Sequence, residues 1–464
     1  MTRVVIVGGG PGGYEAALVA SQLGGEVTLV EEVALGGASV LTDAVPSKTL
    51  IATADVMDTI RTAETLGLRG REESPFDDVE VDLAAVNQRV RALAKAQSRD
   101  IAKQLSAAGV TVIAGRGRLD GPDAVVVSTE DDEFRLDADV VLISTGTHPR
   151  VLSSARPDGE RILTWTQLYH LDELPERLIV VGSGVTGAEF ASAYDALGSE
   201  VVLVSSRETV LPGEDNDAAR VLQDVFEKRG MQVMAKSRAE SVEREGDEVV
   251  VTLTDGRQVR GSHCLMAVGS IPNTDDMGLV EAGVELDEGG FIKVDRVSRT
   301  TAPGVYAAGD CTGVFMLASV AAMQGRKGMW HALGDAVEPL DLKKVSSNVF
   351  TSPEIATVGF TQRQLDAGEL PAKSVTLALA GNPRAKMQAI TDGFIKLFVL
   401  PLTGIIVGGV VVAPKASELI FPVALACSTR MTVDEFSSTF TVYPSLSGSI
   451  AEAARKMHRR DQVG

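Results

Sequence analysis

A glycine spacing that occurs twice constrains this chain more than any other feature. Val4–Val7 reads as a short buried strand running into Gly8, Gly10 and Gly13; Leu178–Val181 runs in the same way into Gly182, Gly184 and Gly187. In each copy the first glycine permits a tight turn and the second lets backbone approach a pyrophosphate. The third lets the next helix pack close to the strand. The N–H groups at the helix start, at Pro11 in the first copy, then face the phosphates. A second strand follows each helix: Val27–Val30 ends at Glu31, and Val201–Val204 runs into Ser205, Ser206 and Arg207. Strand, glycines, helix and strand in this order form a dinucleotide-binding unit.

The repeat extends further. After the first unit come helical stretches over Ser47–Leu66, with the serine as cap, and over Asp82–Ala108, with apolar residues at helical spacing. Short strands over Gly109–Ala114, Ala124–Ser128 and Glu133–Leu136 lead to a buried strand, Val140–Ile143, and to Ser144, Thr145 and Gly146. Beyond a linker with a short helix, Arg161–Pro175, the second copy repeats the plan. Asn216–Arg229 is helical, strands follow over Gln232–Lys236, Glu248–Leu253 and Gln258–Gly261, and Leu265–Val268 precedes Gly269. Two such modules imply two dinucleotides, or one dinucleotide-like prosthetic group and one exchanging partner. Two-electron chemistry between them is the economical reading.

From Val345 the pattern changes to strands (Ser347–Phe350, Ser374–Leu379, Phe394–Val399, Ile405–Val412) and helices (Ala416–Arg430 and a tail around Ile450–Arg460), with no phosphate loop. Gly404–Val412 is nearly all apolar, so its strand needs cover on both faces, from its own helices or a second subunit.

Composition excludes several partners. The formal net charge of −19, from 44 basic and 63 acidic residues in 464, argues against nucleic acid and anionic membrane surfaces. Gly404–Pro414 is too short to span a bilayer, and no integral membrane segment is expected. Cys264, Cys311 and Cys427 stand far apart without a CxxC or CxxxxC, which points to a reducing cytoplasm. His148, His170, His263, His331 and His458 show no metal-ligand spacing, and no metal site is expected.

The two nucleotide sites differ. Glu31 stands where a carboxylate accepts hydrogen bonds from a ribose and repels a 2′-phosphate. Ser205, Ser206 and Arg207 can satisfy that phosphate, so the second module is expected to accept NADPH, with NADH as an alternative. Gly304–Asp310 is a short apolar strand ending in Gly-Asp, which sets a carboxylate at a strand end to bind a polyol. Lys48, after Pro46 and Ser47 at an expected helix start, is an unfavourably placed cation under the helix dipole; pairing with Glu189, on the first turn of the second module's helix, would explain it.

These residues resemble the flavoprotein disulfide reductases, the family of dihydrolipoamide dehydrogenase, glutathione reductase and mercuric reductase. The resemblance runs through GGGPGG at Gly8–Gly13, Glu31, Pro46-Ser47-Lys48, Ser144-Thr145-Gly146, GSGVTGAE at Gly182–Glu189, VGSIPN at Val268–Asn273, GVYAAGD at Gly304–Asp310 and SSNVFTSPEIATVG. It implies an α/β chain of two tandem Rossmann-like dinucleotide-binding domains and a C-terminal α+β dimerisation domain. The expected boundaries are 1–150 for FAD, 151–270 for NAD(P)H, 271–344 for a central region completing the FAD site, and 345–464 for a homodimer contact. Cofactor contacts are expected from Gly8, Gly10, Pro11, Gly13, Glu31, Ser39, Thr145, Gly146, Asp310 and Ala318, and from Gly182, Gly184, Gly187, Ser205, Ser206, Arg207 and Gly269. Lys48, Glu189 and Tyr443 are the expected catalytic residues, with Lys48 and Glu189 near the flavin N5.

The departures decide the expected activity. The family's two cysteines before Pro-Ser-Lys are Ser39 and Ala44 here, and neither can form a disulfide or a thiolate. The family's C-terminal His and Glu are replaced by Tyr443 and Gly448; a neutral phenol is a poor base at neutral pH. Both halves of the thiol machinery are missing together. The chain is similar in GGASV, VYPSLSGSI and LASVAAMQGR to a cysteine-free actinobacterial branch, the LpdA-like NAD(P)H:quinone reductases. The resemblance thus implies hydride transfer from NAD(P)H to tightly bound FAD and then to a quinone, in a pocket lined by Ser39, Val40, Ala44, Val45 and the partner subunit's Tyr443. An NAD(P)H oxidase or diaphorase, and a non-catalytic flavin-bearing structural protein, are the alternatives.

Overall fold

The computed structural model describes residues 1–68 and 79–458. The first module runs β1 (Arg3–Val7), α1 (Pro11–Gln22), β2 (Glu26–Glu31), α2 (Gly37–Leu41), α3 (Ala44–Thr62), α4 (Leu83–Ala107) and β3 (Thr111–Ala114). An antiparallel meander, β4 (Arg116–Leu119), β5 (Ala124–Ser128) and β6 (Glu133–Asp137), leads to β7 (Val140–Ile143). A pair of short antiparallel strands, β8 (Thr147–Pro149) and one described below, joins its exit to the second module's.

The second module runs β9 (Ile162–Thr164), β10 (Arg177–Val181), α5 (Val185–Leu197), β11 (Glu200–Val204), α6 (Asn216–Lys228) and β12 (Gln232–Met234). Its meander is β13 (Ala239–Glu245), β14 (Glu248–Leu253) and β15 (Gln258–Gly261), followed by β16 (His263–Met266) and by β17 (Ser270–Pro272), the partner of β8. The chain then returns to the first sheet with β18 (Val305–Ala307) and α7 (Ala318–Ala332). The two parallel sheets have orders β18-β7-β1-β2-β3 and β12-β11-β10-β16-β9. In both, the strand that carries the glycines lies between the strand after its helix and the one that ends the meander. Parallel strands covered on both faces need continuous apolar runs, which Val4–Val7 and Leu178–Val181 supply.

Contact between α1 and α7 is backbone to backbone. A Cβ at Gly325 would collide with the Gly12 carbonyl oxygen, so only glycine lets α7 seat its N-terminus beside the first glycine turn.

The third region is an antiparallel sheet ordered Ser346–Val349, Glu354–Gly359, Ile406–Ala413, Phe394–Val399, Lys373–Ala378. Strand alternation sends Ile395, Leu397 and Val411 toward the helices Phe421–Thr429 and Gly448–Met457. Phe394, Phe398, Val410 and Val412 face the other way and share a core with Leu50 of α3 and Phe190 and Tyr194 of α5. Both faces of the apolar strand are therefore covered within one chain. Lys396, 2% exposed, ties this sheet to the second module. Its Nζ lies 2.8 Å from both carboxylate oxygens of Asp215, which also caps α6, and 2.6 Å from Asp217.

Several elements differ from expectation. The helix expected from Ser47 begins at Ala44, and Ser47 caps nothing: its hydroxyl bonds back to the Ala44 carbonyl. Pro46 is accommodated because the first turn of a helix has N–H groups without intrahelical acceptors. The linker contains β9, an edge strand too short to show a pattern, and β13 and Glu354–Gly359 are further unexpected strands; β13 is an edge strand in which only Val242 is buried. The helix expected over Ala416–Arg430 is two, Ala416–Leu419 and Phe421–Thr429, with Pro422 removing a donor at the break. Arg459 and Arg460, expected in the last helix, lie outside the described residues.

Lys396→Met strands a buried Asp215 carboxylate and is expected to cost about 3–5 kcal/mol. Thermal unfolding of the intact protein should show a clear drop in midpoint, part of which Asp215→Asn added to Lys396→Met restores. An unshifted midpoint would show that the tie does not hold the sheet.

Candidate active site

The two glycine turns have the same shape. Gly8 (φ +100°) and Gly182 (φ +113°) turn out of their strands in the left-handed region, where a side chain would strike Ser144 or Ala267 backbone. Gly13 and Gly187 press on the Gly8 and Gly182 carbonyls so closely that a Cβ would collide. The middle glycines are different. A Cβ at Gly184 would meet nothing within 4 Å, and one at Gly10 would meet only the Gly37 Cα at 3.9 Å. Each helix therefore starts beside bare backbone facing open space, with Pro11 at the first turn of α1. Such cradles fit the pyrophosphates of two dinucleotides.

Around the first cradle, Glu31 at the end of β2 accepts from Gly9 N at 2.6 Å and Val33 N at 2.8 Å, which fixes its carboxylate at the glycine loop. Thr145 and Gly146 follow β7 and are latched to Asn273: Thr145 Oγ1 donates to the Asn273 carbonyl at 2.7 Å, and Asn273 Nδ2 donates to the Thr145 carbonyl at 2.8 Å. Ala318 is the first residue of α7, whose N-terminus has no side-chain cap. Asp310 follows β18, and burial, with Asp43 nearby, pushes its carboxyl up to about 6. Its side chain has no hydrogen-bond partner among the described residues, a donor-seeking group suited to a polyol.

Lys48 and Glu189 meet as expected, though not at helix ends. Lys48 lies beyond the first turn of α3 and Glu189 beyond that of α5, so neither sits in the dipole setting anticipated for it. Lys48 Nζ is 2.8 Å from Glu189 Oε2, and the other Glu189 oxygen accepts from Phe350 N at 2.9 Å. Glu189 is 3% exposed, and Lys48 also lies over the Phe350 ring, 4.9 Å from its centroid.

Other expected residues stand differently. Ser39 lies in α2 with its hydroxyl donating to the Gly36 carbonyl. Ser205 is fully buried and engaged with Ser183 Oγ at 2.7 Å and with Arg207 backbone, so it shapes the loop and does not face a ligand; Ser206 and Arg207 are exposed. Gly269 has φ +93° with open space beside it. Tyr443 is 82% exposed, and its chain neighbours Phe440 and Val442 are exposed as well. The cysteines are all free, and burial pushes the thiols up, Cys311 to about 11 and Cys427 to about 12, so none is a ready thiolate. Three residues at the site were missed: Asp43, Tyr169 and Phe350. An acid inside the Ser39–Ala44 stretch was the available signal for Asp43; the others become visible only through packing.

Residues 2–325 match the family described as pyridine nucleotide-disulphide oxidoreductase, and residues 345–454 match its dimerisation domain. The chain belongs to the pyridine nucleotide-disulphide oxidoreductases. Among members of this family, an NAD(P)H dehydrogenase (quinone) from Mycobacterium tuberculosis is 52% identical over 473 residues, covering 100% of this chain and 95% of its own length. A dihydrolipoyl dehydrogenase from Chlorobaculum tepidum is 34% identical, covering 97% and 96%. The crystal structure of LpdA from M. tuberculosis superposes with a TM-score of 0.93 at 52% identity, covering 99% and 100% of the two chains. As in this oxidoreductase family, the residues at the first cradle fit FAD and those at the second fit a nicotinamide dinucleotide. No described helix is long and apolar enough to cross a membrane.

Two glycine variants separate cradle from scaffold. Gly184→Val adds a side chain only to open space; it should unfold at the wild-type temperature while the Kd for NADPH rises at least about tenfold. Gly187→Ala should lower the unfolding temperature. Wild-type NADPH binding by Gly184→Val in calorimetry would remove the cradle assignment.

Proposed function

We propose that this chain is an FAD-dependent NAD(P)H:quinone oxidoreductase that works without a redox-active disulfide, as a cytoplasmic homodimer. One observation carries the reading: the Lys48–Glu189 pair is intact at 2.8 Å, while Ser39 and Ala44 occupy the sulfur positions of the family. The machinery for taking electrons from a nicotinamide is kept, and the machinery for passing them to a disulfide is absent.

FAD held in the first cradle would supply two-electron chemistry between a nicotinamide and a quinone. The chain's residues prepare both ends of it. Glu31 is fixed for the adenosine ribose and the Gly8–Gly13 turn for the pyrophosphate, and Asp310 offers an unpartnered carboxyl to the polyol. Lys48, held by Glu189, sets a positive charge where negative charge develops on reduction. Ser206 and Arg207 offer an exposed hydroxyl and a guanidinium to a 2′-phosphate, which favours NADPH. Ser39, Ala44 and Val45 are half-buried and would give the acceptor wall mostly apolar surface suited to a flat ring, whereas Val40, expected there, is buried in the first module's core. The Phe440–Tyr443 segment is exposed in one chain, and a second copy packed on the dimerisation domain would bring the partner subunit's Tyr443 to that wall.

Steady-state turnover with NADPH and menadione should follow ping-pong kinetics, with no turnover on lipoamide or glutathione disulfide. Equal turnover on a disulfide contradicts the proposal, and faster turnover with oxygen than with any quinone moves it to an oxidase. Arg207→Ala should raise the KM for NADPH about tenfold and leave that for NADH unchanged. A parallel rise for both would take Arg207 out of phosphate recognition.

A further inference from the structure

Around the Lys48–Glu189 pair two further carboxyls lie within electrostatic reach: Asp43 feels both members of the pair, and Asp310 feels Asp43. Lys48 is committed to Glu189 at 2.8 Å, which leaves Asp43 and Asp310 without a cation of their own. Asp43 holds the N-cap position of α3, where a carboxylate ordinarily accepts from backbone N–H groups, yet its side chain caps nothing. Its backbone is pinned on both sides: Asp43 N donates to the Ala38 carbonyl at 2.7 Å, and Ser47 N donates to the Asp43 carbonyl at 2.8 Å. The backbone is thus held, and the side chain takes no part in capping its own helix.

A second observation marks the same place. Tyr169 is 3% exposed, and its hydroxyl is buried beside the Ser47 side chain without a hydrogen bond of ordinary geometry. Burial pushes this phenol well up, with Asp43, Tyr194 and Glu189 adding to the effect, so it stays protonated. Burial also raises the Asp43 carboxyl, Lys48 pulling it down and Glu189 pushing it up, and Asp43 in turn raises Asp310. Carboxylates crowded in a shielded site keep a proton between them.

We propose that Asp43 carries the proton that completes reduction of the quinone. This rests on the quinone reading above. A quinone that takes up a hydride equivalent has two electrons and one proton, and leaves as hydroquinone only after one more proton. The Asp43 O–H bond breaks as the second hydroquinone O–H forms, and water reprotonates the carboxylate left behind. Asp43 directly precedes Ala44, one of the two vacated sulfur positions, in the chain, and its charged neighbours are the Lys48–Glu189 pair assigned above to the flavin.

The test uses the intact holoenzyme and two half-reactions in anaerobic stopped flow across pH 5–9. In the wild type, oxidation of the reduced enzyme by menadione should slow as pH rises through the raised Asp43 value. In Asp43→Asn that oxidation should be about 10²-fold slower and flat with pH, while reduction by NADPH changes far less; Asp43→Glu should recover part of the rate and the pH dependence. A second readout needs no turnover. A folded-state pKa above the unfolded value gives stability that is full below the unfolded value and lost as pH rises through the folded one. Asp43→Asn should therefore unfold with the wild type at pH 4 and at progressively higher temperature than it by pH 8. Unchanged oxidation kinetics in Asp43→Asn, or an unfolding difference that does not grow with pH, overturns the role of Asp43 alone. A wild type that menadione does not oxidise overturns the quinone reading and this proposal together.

Discussion

The Glu189 carboxylate is where the three parts of the chain are joined. One oxygen accepts from Lys48 of the first module, the other from the Phe350 N–H of the third region, and the residue itself belongs to the second. A carboxylate this deeply buried is tolerated only when paired and hydrogen-bonded. The pairing therefore fixes α3 against α5 and the edge of the C-terminal sheet against both. Lys396 repeats the device further out, through Asp215 and Asp217. The relation between the two dinucleotide cradles follows from these ties and from the shared core of Leu50, Phe190 and Tyr194.

On that frame the site carries charge but no sulfur pair. Relatives that reduce disulfides need two thiols beside the flavin and a base to serve them. Here α2 and the start of α3 supply a serine hydroxyl already turned onto the Gly36 carbonyl and an alanine methyl. The polar groups around Lys48 include carboxyls and a phenol, which handle protons and not electrons. Electron transfer then falls on the flavin alone, and proton supply on the chain.

Much of this was legible because it rests on local chemistry. Gly8, Gly13 and Gly187 announce close backbone approaches, and Glu31 stands at a fixed distance from the first of them. The Lys48–Glu189 pair was also legible, although the reason given for it was wrong: with α3 starting at Ala44, Lys48 is past the first turn, and its placement owes nothing to the dipole. What was not legible depends on long-range packing. Nothing in Ile162–Thr164 marks it as the edge of a parallel sheet, and nothing in the Ser205-Ser206-Arg207 run says that the first serine turns inward to Ser183. Tyr443 was assigned through family resemblance, and in one chain it lies exposed.

The central claim, a flavin with no sulfur relay, has a direct stoichiometric consequence. An anaerobic dithionite titration of the purified holoenzyme, followed by its absorbance spectrum, counts electrons accepted per flavin. The account predicts full reduction with two electrons per flavin and no long-wavelength thiolate–flavin charge-transfer band at any stage. Uptake of four electrons per flavin, with such a band at the halfway point, would contradict it.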